Sequence, residues 1–518
     1  MNVAEMFSRE AASRPDQLAF IEGEGARARR MTFRELDEES SRIAARLQSS
    51  GVRHRDNVLF LHPMSIELYA TLLAVYRIGA CAVSVEPGQP VAILARLIEQ
   101  TRPRAVIAGF LGLGWKWLSP ALRSIPLSFS FGWNLFGATS LRGGRLPPHR
   151  AIHSVLPASP ALITLTSGSE GAPKAVCRSH GFLIRQMEVL RESLDYKPGE
   201  VDLTTLPIFA FANLGLGLTT VLLPHRRASR DAARVARQIR QCAVSRTAAA
   251  PGFLEPLADF CLQQRTTLPS LRKIYVGGAP VFPRLVHKLK TVAPAAKIVG
   301  VYGATEAEPI ACGRLDDLPD KAWHRVNEGF GLPAGLPVSA ASVRIIRAGS
   351  PPSPQPMSHS EFSSLNLPAG KIGEIIVKGP HVLPEYFFPE ANVAKKIRVE
   401  GQIWHRTGDS GYLDADGSIW LMGRCSATVM SDRGEFYPFQ VEGRLAACPD
   451  IRNAALVSNG TRLVLFIEPS GLARNGSTLL DEFLEWAPID EVRRIQRMPV
   501  DRRHQSKINY NELRELLT

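Results

Sequence analysis

Leu165-Thr166-Ser167-Gly168-Ser169-Glu170-Gly171-Ala172-Pro173-Lys174 gathers three hydroxyl side chains, two glycines and a lysine into ten residues. The glycines at 168 and 171 let backbone N–H groups turn inward, while Thr166, Ser167 and Ser169 add hydroxyl donors. Lys174 supplies a mobile positive charge. Many donors, little bulk and a nearby cation are what a triphosphate requires. The spacing is not that of a G-x-x-x-x-G-K-[ST] loop. Taken alone, the stretch reads equally as a small-residue connection between a strand and a helix.

Three further stretches carry side chains of the right chemistry. Val299-Gly300-Val301-Tyr302-Gly303-Ala304-Thr305-Glu306 is an apolar run ending in a tight turn. A tyrosine face can stack on a base, and Glu306 can hold Mg²⁺ beside phosphate oxygens. Trp404-His405-Arg406-Thr407-Gly408-Asp409 offers a carboxylate able to accept from both hydroxyls of a ribose, and Gly423-Arg424 a fixed cation. Val500-Asp501-Arg502-Arg503-His504-Gln505-Ser506-Lys507-Ile508 brings one more lysine near the end of the chain. Singly these read as a core tyrosine, a turn aspartate and a solvated basic tail.

The elements that must position these residues alternate. Helices are expected over 4–13, from Thr32 to about Ser50 and over 66–78 and 91–100, and strands over 18–22, 57–61 and 81–85. Thr32 with Glu35 has the pattern of a capping box. Ala161-Leu162-Ile163 reads as a buried strand, and apolar segments return at 201–206, 243–250, 273–277 and 297–302. Such alternation predicts an α/β fold, with helices covering parallel sheets. With 518 residues, two or more domains are expected, and the shorter mixed segment beyond Arg424 is a candidate second domain.

Composition narrows the class. The chain is 45% hydrophobic and 21% charged, as globular proteins are. Its net charge of +13 comes from 49 arginines and 13 lysines, and the arginines are scattered. That argues against a nucleic-acid partner. The arginines toward Arg240 recur every three or four residues amid alanines, as on the exposed face of a helix. Seven widely spaced cysteines without a C-x-x-C pair suit a reducing compartment and argue against a cysteine metal site. No export signal is read at the start, and the uncharged stretch 124–141 contains Pro126, Asn134 and glycines that suit buried strands and loops, so no transmembrane segment is expected. A cytoplasmic protein is the expectation.

In combination the four stretches resemble the adenylate-forming superfamily of acyl-CoA synthetases, luciferases and peptide-synthetase adenylation domains, over almost the whole chain. The phosphate loop of that family matches 166–174, its Y-G-x-T-E motif 302–306 and its T-G-D motif 407–409. Arg424 matches the arginine at the domain junction and Lys507 the C-terminal lysine. Gly277-Gly278-Ala279-Pro280 fits the adenine-side segment. The resemblance implies a large N-terminal AMP-binding domain of helix-covered, mostly parallel sheets over 1–424 and a small mobile α+β lid over 425–518. It implies ATP and Mg²⁺ as cofactors. Thr166, Ser167, Gly168, Ser169, Gly171, Lys174, Gly278, Ala279, Tyr302, Gly303, Thr305, Asp409 and Arg424 would bind nucleotide, Glu306 would hold the metal, and Lys507 would act in the transfer.

The tail V-D-x-R-H-x-x-K-I at 500–508 departs from the S-G-K tail usual in CoA ligases and looks like that of olefin-pathway β-lactone synthetases. Tyr302–Ala307 and Leu206–Phe211 are also similar to that branch. The implied reaction is attack of a carboxylate on the α-phosphate of ATP, giving an acyl-adenylate and pyrophosphate. A 3-hydroxyl of the same acid then closes a β-lactone and releases AMP, with His504 or His180 taking the hydroxyl proton. The alternative is transfer to CoA as a fatty acyl-CoA ligase. Glu170, where the family usually has Thr, and Ala175, where it usually has Gly, define a third reading, a catalytically degenerate nucleotide-binding relative. Phe209, Phe211, Asn213, Gly215 and Gly217 suggest an apolar pocket for a hydrophobic acid, or else a buried helix or loop. The branch implies work beside a decarboxylating hydrolase and a reductase.

Overall fold

The computed structural model describes the chain except for residues 86–89, 133–136, 143–146, 167–173, 224–230, 352–354, 433, 461, 471–477, 488, 502–505 and 518. It divides into two compact units. One comprises Met1–Ala248 with Glu385–Asn392, the other Ala249–Pro384 with Val393–Thr518. Arg424 falls inside the second unit.

The first unit contains the expected alternation. One sheet runs in the order Thr139–Ser140, Leu127–Ser130, Ala105–Ala108, Asn57–Leu61, Cys81–Ser84, Pro160–Thr166, Lys174–Ser179, parallel except for the last pair. A second set runs Arg246–Ala249, Val201–Thr204, Thr219–Leu222, Leu18–Glu22, Arg29–Thr32, again parallel until the last pair. Local chemistry starts the helices where it should. The Thr32 side chain accepts from Glu35 N–H while the Glu35 carboxylate accepts from Thr32 N–H at 2.7 Å, which opens the helix Phe33–Ser49. The helix Ile66–Ile78 is buried on nearly every side and ends at Gly79 with φ +75°. Arg237 and Arg240 face solvent on the helix Ala232–Gln241, as the arginine spacing predicts, while Val235 and Ile239 face inward.

In the second unit the α/β class holds but the sheet is mixed. Lys273–Gly277 pairs in parallel with Lys297–Ala304. From there the order Ala307–Arg314, Leu332–Pro337, Ile419–Arg424, Gln402–Leu413, Gly373–Lys378, Ser342–Ile346 is antiparallel throughout. For the first of these pairs the cause is connection length. Two residues separate Ala304 from its partner Ala307, whereas a parallel crossover needs a dozen or more. Beyond Arg424 the chain forms sheets of its own, Val429–Ser431 with Gly434–Phe436, and Ile451–Ser458, Leu463–Pro469 and Glu491–Arg494. They enclose a core that includes Val441, Leu445, Leu456, Leu465 and Phe483. Among the described residues no helix is long and apolar enough to cross a membrane.

Candidate functional site

Three of the singled-out residues from distant parts of the sequence meet in the second unit. The Tyr302 hydroxyl donates to Asp409 Oδ2 at 2.9 Å, and Arg424 Nη1 donates to Asp409 Oδ1 at 2.8 Å and to the Thr407 carbonyl at 3.1 Å. Asp409 and Arg424 stand directly opposite each other on antiparallel strands. Burial, and after it the Asp409 carboxylate, pushes the Tyr302 phenol well above its usual range, so the ring remains a proton donor. Each carboxylate oxygen of Asp409 carries one protein partner here and has a second lone-pair direction left for a diol. Asp409 is not a turn residue; it lies within the long strand Gln402–Leu413.

That position is built from below. Gly408 has φ +74°, a conformation that side chains disfavour, and the register against Gly373–Lys378 shifts across it, between Arg406 and Ser410. The Gly408 N–H donates to Glu374 Oε1 at 3.2 Å, and the Asp409 N–H donates to Thr407 Oγ1 at 3.0 Å, itself bonded to the Ile375 carbonyl. Glu374 and Arg406, both buried, are joined by Arg406 Nε and Nη2 to Glu374 Oε2 at 2.9 and 2.5 Å. Sequence reasoning missed Glu374. A signal was there, a single carboxylate in the apolar run Gly373-Glu374-Ile375-Ile376-Val377, because such a charge is buried only with a partner.

Thr305 and Glu306 form the two-residue turn that follows Tyr302. The Leu383 N–H donates to the Glu306 carbonyl at 2.7 Å, and a Cβ on Gly303 would come 2.9 Å from the Ala307 carbonyl. The strand Lys273–Gly277 ends against the same element. A Cβ on Gly277 would lie 2.3 Å from the Val301 carbonyl, and Gly278, ahead of Ala279, turns away with φ +78°. Only glycine allows that approach. Among the described residues no cluster of three or more His, Cys, Asp and Glu side chains could hold a metal ion. The half-buried Glu306 carboxylate suits Mg²⁺ that arrives on a triphosphate, which binds through one or two carboxylates and keeps phosphate ligands.

Ser167, Gly168, Ser169 and Gly171 lie outside the described residues, as does His504. The flanks of the first group correct one expectation. Thr166 and Lys174 are antiparallel partners, so the stretch joins two strands of a hairpin rather than a strand and a helix. The helix begins only at His180. The Lys174 ammonium stands 5.5 Å from the centre of the Tyr386 ring, within cation–π range. Tyr386 belongs to the segment Glu385–Asn392, which adds to this hairpin through the pairing of Val176 with Tyr386 and the Phe387 N–H donating to the Ala175 carbonyl at 2.8 Å. No local pattern in the sequence signals that contact, which joins residues 212 positions apart.

Lys507 is half-buried on a loop closed at its base. Its carbonyl accepts from the Asp501 N–H at 2.9 Å, its N–H donates to Asp501 Oδ1 at 3.3 Å, and Val500 pairs with Ile508. His180 is fully buried, with Nδ1 accepting from the Val3 N–H at 3.2 Å, and burial lowers its pKa to about 4. It is a core residue and not a base open to substrate. Of the two readings of Phe209, Phe211, Asn213, Gly215 and Gly217, the structure shows the buried helix or loop. Phe211 packs against Phe7 and Tyr76, and the Asn213 amide donates to Asp202 and Thr220, all inside the first unit. The helix Pro207–Gly215 is core on that side, with Phe209, Phe211, Asn213 and Leu214 all buried.

The model of a family described as AMP-binding enzyme matches residues 7–387. An olefin beta-lactone synthetase of Xanthomonas campestris pv. campestris is 31% identical over 99% of this chain and 96% of its own. An indoleacetate–CoA ligase of Aromatoleum aromaticum is 29% identical over 88% and 85%. In shape, the chain is similar to an amide bond synthetase from Marinactinospora thermotolerans, with a TM-score of 0.82, 23% identity and 100% of each chain covered, a likeness of fold.

Proposed function

The chain belongs to the AMP-binding enzyme family, and we propose from that premise that it activates a 3-hydroxy fatty acid and closes it to a β-lactone. The coarser activity comes with the family: it is an AMP-forming, acid-activating synthetase or ligase. In the proposed first step a carboxylate oxygen of the acid attacks the α-phosphorus of ATP and pyrophosphate leaves. Tyr302 lies along the adenine, Asp409 accepts from the ribose hydroxyls and Arg424 holds Asp409 in place. The hydroxyls and amides of 166–171 and Lys174 hold the β- and γ-phosphates, and Mg²⁺, where bound at Glu306, neutralises phosphate charge. Lys507 bridges the carboxylate and α-phosphate as charge develops in transfer. In the second step the 3-hydroxyl attacks the acyl carbonyl, its proton passes to a base for which His504 is the candidate, and AMP leaves. Ring strain opposes closure, but the attack is intramolecular and the adenylate is a good leaving group.

The observation that supports the nucleotide assignment best is the hydrogen-bonded set Tyr302–Asp409–Arg424. The support for lactone closure is the tail 500–508 together with the likeness to an olefin beta-lactone synthetase. Transfer to CoA is the second reading, favoured by the indoleacetate–CoA ligase relative. The test is mass spectrometry of products from ATP, Mg²⁺ and a long-chain 3-hydroxy acid, with and without CoA. The expected product is lighter than the acid by one water, with AMP released and CoA untouched. An acyl-CoA formed only when CoA is present would replace lactone closure with the ligase reading. AMP formation from no acid, with ATP bound, would favour the degenerate reading and direct attention to Glu170.

The ribose assignment has its own test. Asp409→Ala removes an ionised acceptor whose hydrogen bonds are worth about 1.5–3 kcal/mol each, so KM for ATP is expected to rise about tenfold or more while KM for the acid holds. An unchanged KM for ATP would take the ribose role from Asp409.

A further inference from the structure

Three residues beyond Lys507, the hydroxyl of Tyr510 donates to Glu442 Oε1 at 2.6 Å. Tyr510 opens the helix Tyr510–Glu515, and Glu442 stands on the helix Pro438–Ala446 with 8% of its surface exposed. Burial raises the Glu442 carboxyl to about 8, against a smaller lowering by the Tyr510 hydrogen bond. Burial, then the nearby Glu442, likewise raises the phenol well above its usual range. At neutral pH the contact is therefore mostly between an uncharged acid and an uncharged phenol, which a buried site tolerates.

The chain between this contact and Lys507 has little slack. Ile508 packs against a cluster that includes Ala455, Phe466, Met498 and Leu513, and the Asn509 N–H donates to the Pro499 carbonyl at 2.9 Å. Farther along the same helix, Arg514 Nη2 donates to the carbonyl of Ser426 at 2.7 Å, two residues past Arg424. The helix Tyr510–Glu515 is thus held at its start by Tyr510 and in its last turn by Arg514, and Lys507 lies three residues ahead of it.

We propose that Tyr510 and Glu442 form a positioning clasp for Lys507, setting where the loop presents its ammonium group. The inference rests on the assignment of Lys507 to the transfer step above. A misplacement of about 1 Å at a reacting centre costs about 10²-fold in rate, and release of Tyr510 frees the helix start that anchors the loop. Ionisation of Glu442 is opposed by burial and favoured by its hydrogen bond to Tyr510; Arg284 and Arg452, which line the same groove, are engaged by Glu255 and Glu468. Arg514 acts on Tyr510 from its own helix.

The test compares wild type, Tyr510→Phe, Glu442→Gln and Lys507→Ala as full-length proteins. It measures pyrophosphate release from ATP, Mg²⁺ and an accepted acid from about pH 6.5 to about 9.5, with KM for ATP and the melting temperature. Tyr510→Phe is expected to lower kcat about tenfold with KM for ATP unchanged. Glu442→Gln, which keeps an acceptor for Tyr510, is expected to hold kcat within about twofold of wild type across this range. A Tyr510→Phe variant that only melts lower, with kcat and pH profile as in wild type, would overturn the clasp while leaving Lys507 its role. A fully active Lys507→Ala would overturn both.

Discussion

Lys507→Ala is expected to slow acyl-adenylate formation by about 10²–10³-fold, the usual effect of removing one group that faces charge developing in the transition state. The reason is local. Attack of a carboxylate on the α-phosphate brings two anions together, and charge shifts onto the departing pyrophosphate oxygens as the bond breaks. A cation that spans both anions lowers the barrier more than it strengthens binding of either ground state, so kcat should fall and KM for ATP should change little. The substitution keeps the two backbone bonds of Lys507 to Asp501 that close the loop. Lysine-dependent release of pyrophosphate, measured with saturating ATP and acid, checks the loss. Equal losses in the lactone-forming and adenylate-forming rates would place the lysine in the first step. Loss confined to the second step would move it.

Glu374→Gln is expected to cost about 3–5 kcal/mol of stability, because it leaves the Arg406 guanidinium buried beside a neutral amide. Arg406 would keep its bond to the Ser350 carbonyl, but both bonds to the carboxylate would lose their ionic partner. The Gly408 N–H, which now donates to Glu374, would bond to a weaker acceptor just where the backbone turns to present Asp409. A marked fall in melting temperature is therefore expected together with a rise in KM for ATP, the second from displacement of Asp409. Replacing Arg406 and Glu374 together by apolar residues should recover part of the stability, since removing both partners strands neither charge. Calorimetry of the single and double variants checks this. A Glu374→Gln protein that melts with wild type would show that the pair is not a stabilising element.

pH gives an independent reading of Glu442. Its carboxyl is raised in the folded protein from 4.5 to about 8, so between those values the folded chain holds a proton that the unfolded chain has lost. Stability is thus expected to fall as pH rises through that window, and Glu442→Gln should flatten the fall. Identical pH–stability curves for the two proteins would remove Glu442 as its source.

The sequence by itself carried the resemblance to the family and most of the local structure. Tyr302, Glu306, Asp409, Arg424 and Lys507 are legible because each is a reactive side chain in a short, ordered motif, and short motifs depend on neighbours in the chain. Capping at Thr32–Glu35 and the strand–helix alternation of the first 250 residues are local in the same sense. Tertiary structure decided what long-range pairing alone can decide. It paired residue 166 with residue 174 on antiparallel strands, with the helix starting only at His180. It set Tyr386 beside Lys174, placed Glu374 and Arg406 under Asp409, and sent Phe211, Asn213 and His180 into the core. The register of one strand against another and the partner of a buried charge are set by contacts between residues far apart in sequence, where no spacing rule reaches.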